Sequence, residues 1–118
     1  MKAFKDDNNK TWLFRPDDNY ERIIKSSIRL AMPEFPKELF FDGLNNLLKI
    51  DSDWVKPGIG NSLYIRPFIF ASEGTINATE AKEYKFMIIC APANSYDSGD
   101  VRVKIEKSYS RAAKGGVG

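Results

Sequence analysis

The chain contains no histidine among its 118 residues. Without an imidazole it lacks the commonest general base at neutral pH, the serine–histidine and cysteine–histidine nucleophile pairs, and the commonest ligand of transition metals. Catalysis by such a chain would therefore have to use lysine, tyrosine, arginine or carboxylate side chains, or a bound cofactor.

Cysteine, long apolar runs and excess charge are scarce as well. The single cysteine, Cys90, excludes an internal disulfide, and its position in the apolar run FMIIC predicts a buried, unreactive thiol. No apolar run approaches the roughly 18 residues of a membrane span, and the opening MKAFKDDNNK lacks the apolar segment of a signal peptide. A net charge of +2 gives no basic excess. We therefore expect a cytoplasmic protein with neither a membrane nor a nucleic acid as partner.

What the sequence does contain is typical of one globular domain, with 42% apolar and 29% charged residues. Pro16 favours the first turn of a helix, which Pro33 would end, and a second helix is predicted to begin near Pro36. The apolar stripe of the first helix comprises Tyr20, Ile23, Ile24, Ser27, Ile28 and Ala31. The core face predicted for the second helix comprises Leu39, Phe40, Leu44, Leu47 and Leu48.

Strands are predicted on both sides of these helices. Residues 2–14 (KAFKDDNNKTWLF) have the pattern of a hairpin, and strands are predicted at 62–70, 84–91 and 101–107. Two helices followed by three strands favour an α+β fold, with a mixed or antiparallel sheet and both helices on one face, over an alternating parallel sheet.

Arg66 and Arg22 are the two arginines whose positions in predicted elements raise a question of function. In SLYIRPFIF (62–70), alternation places Arg66 on the same face as Tyr64, where a charge must be paired, solvated or in contact with an anion. An edge strand is the alternative, since Pro67 is tolerated there without donating a ladder hydrogen bond. On the polar face of the first helix, periodicity does not distinguish Arg22 from Arg29.

Four motifs, taken in order, resemble the branched-chain amino-acid aminotransferases, which are pyridoxal-phosphate enzymes of fold type IV. They are LFRPDDNYERI, SLYIRP, YKFMIICAP followed by Tyr96, and RAAKGGVG. The resemblance implies a small N-terminal α+β domain over 1–108, incomplete at its N-terminus, and the start of a glycine-rich segment toward a large domain over 109–118. It places the cofactor-binding lysine beyond Gly118.

The resemblance also implies roles for five residues of this sequence. Arg22 matches the arginine that binds the cofactor phosphate, a task suited to a guanidinium. Tyr64 matches a tyrosine near the substrate carboxylate, and Arg66 matches the arginine that binds the distal carboxylate of glutamate. Ile76 matches an apolar loop residue in the neighbouring subunit's pocket, and Tyr96 matches a tyrosine of the loop between the domains.

The implied reaction transfers an amino group between leucine, isoleucine or valine and 2-oxoglutarate through pyridoxal phosphate, in a homodimer. The partners would be branched-chain amino acids, glutamate and their 2-keto acids. Because the cofactor-binding lysine is not among these residues, we expect the chain alone to be inactive. We also expect it to self-associate through exposed apolar residues, for which Phe68, Phe70 and Ile76 are the candidates.

A small module that binds single-stranded RNA is the second hypothesis. Tyr64, Phe68 and Phe70 would stack on bases, and Arg66 would contact phosphates. Such modules usually carry a clear basic excess and a glycine–aromatic strand motif, and the sequence has neither. The aminotransferase interpretation is therefore favoured.

Overall fold

The computed structural model describes residues 1–94, 100–109 and 112. Tyr96 lies outside the described residues, as does most of the glycine-rich segment predicted from residue 109 onward.

An antiparallel sheet of four strands forms one layer of the fold. Its strands are β1 (Lys2–Lys5), β2 (Thr11–Leu13), β3 (Ser62–Ala71) and β4 (Tyr84–Ala93), arranged in the order β2-β1-β3-β4. Two helices, α1 (Pro16–Arg29) and α2 (Lys37–Ile50), follow the β1–β2 hairpin. The predicted α+β class is therefore confirmed. None of the helices in the described part of the chain is long and apolar enough to cross a membrane.

Helix α1 begins as the sequence predicts but ends earlier. Pro16 occupies its first turn, where a missing N–H costs no hydrogen bond. The prediction that Pro33 ends the helix is wrong. Ala31 adopts a left-handed conformation (φ 54°), its N–H donates to Ile28 O, and the Met32 N–H donates to Ser27 O over 2.8 Å. This pair of bonds is a Schellman motif, which satisfies the terminal carbonyls and stops the helix at Arg29.

Helix α2 presents a slightly different face to the core from the one predicted. It begins at Lys37, directly after Pro36, and its Phe40 and Leu44 are fully buried. Leu39 was predicted in the core but is 57% exposed, whereas Phe41 packs against the core. The core face is centred on the i, i+4 pair Phe40 and Leu44, and Leu39 lies on one side of that line.

The buried core lies between the helices and one face of the sheet. Its fully buried apolar members are Ala3, Phe40, Leu44, Val55, Leu63 and Ile65. Tyr20 packs α1 against this core. The Tyr20 ring meets Phe40 edge-on at 5.2 Å, and the Tyr20 hydroxyl donates to Phe35 O over 2.8 Å. These contacts hold α1 against α2 and against the segment that joins the two helices.

On one edge of β3, the backbone pairing among the described residues extends as far as Ile65. Ile65 and Met1 exchange the last backbone bonds on that side, with Ile65 N donating to Met1 O over 2.9 Å and Met1 N donating to Ile65 O over 2.8 Å. Pro67 is the next residue whose backbone points to this edge. Because proline has no N–H, Pro67 has no backbone donor to pair on this edge. The other edge stays paired with β4 along its whole length.

The prediction of a strand at 101–107 is wrong. Residues 101–106 have no assigned secondary structure, and Val101, Val103 and Ile105 are 60%, 82% and 78% exposed. Alternation indicates which side chains would share a face, but a strand also needs a neighbouring edge to bond with. The sequence pattern carries no information about that neighbour.

Candidate functional site

A cavity of about 230 Å³ lies between α1 and one edge of β3. Its lining combines one face of α1 with the middle of β3 and the first residue of the chain: Met1, Asn19, Arg22, Ile23, Ser26, Tyr64, Ile65, Arg66 and Pro67. The fold thus brings Arg22, Tyr64 and Arg66 together, although they are distant in the sequence.

Tyr64 and Arg66 form a contact on one face of β3, as strand alternation predicts. The Arg66 guanidinium donates to the Tyr64 hydroxyl over 3.3 Å and lies 5.2 Å from the centroid of its ring. The phenol therefore contacts the guanidinium through both its hydroxyl and its π face, which limits the orientations of a long side chain.

Arg22 is distinguished from Arg29 by the placement of α1. Arg22 lines the cavity, whereas Arg29 lies in the last turn of the helix and is not among the lining residues. The Arg22 Nη2 atom donates to Asn19 Oδ1 over 2.7 Å, and Ser26 Oγ donates to Arg22 O over 3.0 Å. Sequence analysis missed Asn19, although its i, i+3 spacing from Arg22 on a helix is a usable signal.

Two of the described residues that line the cavity, Arg22 and Arg66, carry cationic side chains. The amino group of Met1 has its pKa lowered below 8.0, first by burial and then by the charges of Arg22, Arg66 and Lys2. None of the described residues that line the cavity carries a carboxylate. Two guanidinium groups and a phenol at one cavity form a site suited to an anionic group such as a phosphate or a carboxylate.

Three other residues that the sequence analysis singled out, Ile76, Phe68 and Phe70, do not line this cavity. Ile76 is fully exposed in the loop between β3 and β4, which the Ser72 N–H closes by donating to Glu83 O over 2.9 Å. Phe68 and Phe70 lie on the sheet face opposite the helices, with their rings stacked on each other at 5.8 Å.

The part of the chain that the structure describes contains no cluster of side chains that would bind a metal ion.

Cys90 is half-buried rather than buried, which corrects the sequence-based expectation. Its Sγ donates to Asp51 Oδ2 over 3.2 Å, and burial together with the Asp51 carboxylate raises the pKa of the thiol above 9.0. The thiol is therefore protonated at neutral pH, as expected of an unreactive cysteine.

Comparison with known proteins gives relatives along the whole chain, although no family model matches it. A "Probable branched-chain-amino-acid aminotransferase" of Staphylococcus epidermidis is 44% identical over 100% of this chain and 34% of its own length. "Branched-chain-amino-acid transaminase 1" of Bacillus subtilis is 40% identical with the same coverage. A "Branched-chain-amino-acid aminotransferase" of Mycolicibacterium smegmatis is 37% identical over 100% of this chain and 33% of its own.

The chain thus spans about a third of the length of the curated relatives it matches. The match with the Staphylococcus epidermidis relative covers all 118 residues and therefore includes the segments that form the cavity. Along its whole length, this α+β chain is similar, at 37–44% identity, to proteins that bear the name branched-chain-amino-acid aminotransferase or transaminase.

Proposed function

We propose that the chain supplies the anion-binding part of the active site of a pyridoxal-phosphate-dependent branched-chain amino-acid aminotransferase. The whole enzyme would transfer an amino group between leucine, isoleucine or valine and 2-oxoglutarate. The observation that carries the proposal is that Arg22, Tyr64 and Arg66 line one cavity, in a chain whose relatives are named branched-chain-amino-acid aminotransferases. Residues 1–108 would form the small domain, and 109–118 would lead to the rest of the enzyme.

The residues of the cavity fit the phosphate of pyridoxal phosphate. A phosphate is a compact anion with several acceptor oxygens, and Arg22 offers it a planar donor group on a helix already held by the core. At about 230 Å³, the cavity is smaller than the pockets of roughly 300–1,000 Å³ that enclose whole small molecules. We therefore propose that it holds one end of the bound molecules. Pyridoxal phosphate, when bound, supplies the electron sink for the chemistry.

Arg66 would serve the two kinds of substrate differently. Its guanidinium would bind the distal carboxylate of glutamate, which a branched-chain amino acid lacks. The contact with Tyr64 keeps the guanidinium satisfied when an apolar side chain occupies the site, because its charge stays over the phenol ring. Tyr64 would also lie near the substrate carboxylate.

The proposal includes two residues outside the cavity. Ile76 would contribute to the neighbouring subunit's pocket in a homodimer, and its complete exposure on a loop allows such a contact. Tyr96 would belong to the loop between the two domains. The direct test of the function is transamination by a chimaera in which these 118 residues replace the matching third of a relative.

We expect the chain alone neither to transaminate nor to form a specific covalent adduct with pyridoxal phosphate. The resemblance assigns none of its lysines to the cofactor, and Lys114 precedes the glycine pair that it would have to follow. Incubation with pyridoxal phosphate, borohydride reduction and peptide mapping should find only scattered labelling of lysines. Stoichiometric labelling at Lys114 would contradict this expectation.

We also expect the chain alone to self-associate. The sheet face opposite the helices exposes large apolar side chains, including Phe70 at 36% and Met87 at 44%, and Ile76 is fully exposed nearby in sequence. Light scattering should show an average mass that rises with concentration, and Phe70→Glu should suppress the rise. Ile59→Glu, at an exposed loop position away from this face, is the control. A constant monomer mass over a wide concentration range would count against the proposal.

A further inference from the structure

Asn19 connects the start of α1 to the guanidinium of Arg22. Its Nδ2 donates to the backbone oxygen of Arg15 over 2.9 Å, and its Oδ1 accepts from Arg22 Nη2 over 2.7 Å. Together the two contacts define the orientation of the amide. Exchanging its nitrogen and oxygen would set two donors against each other at Arg22 and two acceptors against each other at Arg15.

The anchor of this contact is the turn that enters the helix. Arg15 has a left-handed backbone (φ 47°, ψ 58°) directly before Pro16 begins α1. Its carbonyl oxygen accepts from both the backbone N–H of Asn19, over 3.4 Å, and the Asn19 side chain. Asn19 is therefore hydrogen-bonded to Arg15 O through both its backbone and its side chain. These two bonds hold its Oδ1 one turn before Arg22.

The acceptor that Asn19 presents is neutral. A carboxylate at this position would pair with Arg22 and cancel much of its attraction for an anion. An amide oxygen instead uses one of the five guanidinium donors, orients the group and leaves its net charge unchanged. Both side chains line the same cavity, so the effect acts at the proposed anion site.

We infer that Asn19 is a positioning residue, which orients Arg22 toward a phosphate group in the cavity without neutralising its charge. The inference rests on the proposed function, in which Arg22 binds the cofactor phosphate.

The test uses the 118-residue chain and two probes, pyridoxine 5′-phosphate and pyridoxine. They differ only in the phosphate, and neither has an aldehyde that would react with lysine. Dissociation constants come from titrations followed by amide NMR shifts, which also report whether each variant is folded. Asn19→Leu should weaken binding of the phosphate-bearing probe about three- to tenfold and leave pyridoxine unchanged. Asn19→Asp should weaken the phosphate probe too, more at low salt than at high salt.

Two further variants make the outcomes distinguishable. Asn45→Leu, on an exposed position of α2, is the matched control and should change neither affinity. If Arg22→Ala weakens the phosphate probe but Asn19→Leu does not, the inference is overturned and the proposed function stands. If Asn19→Leu lowers the affinity for both probes equally, Asn19 only stabilises α1. That result also overturns the inference. If the unaltered chain does not favour the phosphate probe, or Arg22→Ala has no effect, the proposed role of Arg22 fails and the inference with it.

Discussion

Replacing Arg66 with methionine in the chimaera is expected to slow the half-reaction with glutamate by about 30- to 150-fold and to spare the half-reaction with leucine. The physical reason is that only glutamate brings a second carboxylate to the guanidinium. Loss of a charge-assisted hydrogen bond in a partly dry pocket costs roughly 2–3 kcal/mol. Stopped-flow absorbance of the cofactor, with each amino acid in turn, measures the two efficiencies separately.

The variant Tyr64→Phe provides a comparison for Arg66→Met, because it alters the contact between Arg66 and Tyr64 without removing the guanidinium. Tyr64→Phe removes the hydroxyl that accepts from Arg66 but keeps the ring. Tyr64→Phe should therefore slow the half-reaction with glutamate less than the loss of the guanidinium does. Equal losses for leucine and glutamate in the Arg66→Met variant would show that Arg66 does not distinguish the two substrates.

Replacing Arg22 with alanine in the same chimaera is expected to weaken retention of pyridoxal phosphate and to lower both half-reactions alike. A guanidinium–phosphate bond is charge-assisted, so the expected loss of cofactor affinity is about 10- to 100-fold. Dialysis against cofactor-free buffer, followed by absorbance and by titration with added pyridoxal phosphate, measures this loss directly. Saturating cofactor should restore much of the activity.

Arg29→Ala is the matched control, since it removes the same side chain from the same helix but outside the cavity. It should leave retention of the cofactor unchanged. Loss of cofactor in both variants to the same degree would indicate a general effect of charge on α1, and would remove the special role given to Arg22.

Local sequence signals predicted the elements of this fold well. Pro16 and Pro36 mark the starts of the two helices because proline suits a first turn or the position before it. The alternation in 62–70 gave the correct faces for β3, so Leu63 and Ile65 are buried while Arg66 is exposed. Each of these signals depends only on nearby residues.

The failures lie where the outcome depends on distant residues. Val101, Val103 and Ile105 alternate like a strand, but alternation cannot supply the edge that would pair with them. Periodicity likewise could not separate Arg22 from Arg29, because both lie on the polar face of α1. The distinction comes from the position of the cavity between α1 and β3, which Arg22 lines and Arg29 does not.

The resemblance to a family named the residues of the site, but the sequence did not show that they meet. In the fold they do meet, because Arg22, Tyr64 and Arg66 line one cavity between α1 and β3. The aromatic contacts of Tyr20 hold α1 to the core beside it. Asn19 was missed although its i, i+3 spacing from Arg22 can be read from the sequence, because spacing alone does not show that the two side chains form a hydrogen bond.

The chimaera itself provides the most direct test of the central claim. With the 118 residues replacing the matching third of the Bacillus subtilis relative, the account predicts transfer of the amino group from leucine to 2-oxoglutarate, measured as glutamate formed, at a rate within about tenfold of the unaltered relative. A chimaera that folds and retains pyridoxal phosphate, yet forms no glutamate from leucine, would contradict the account.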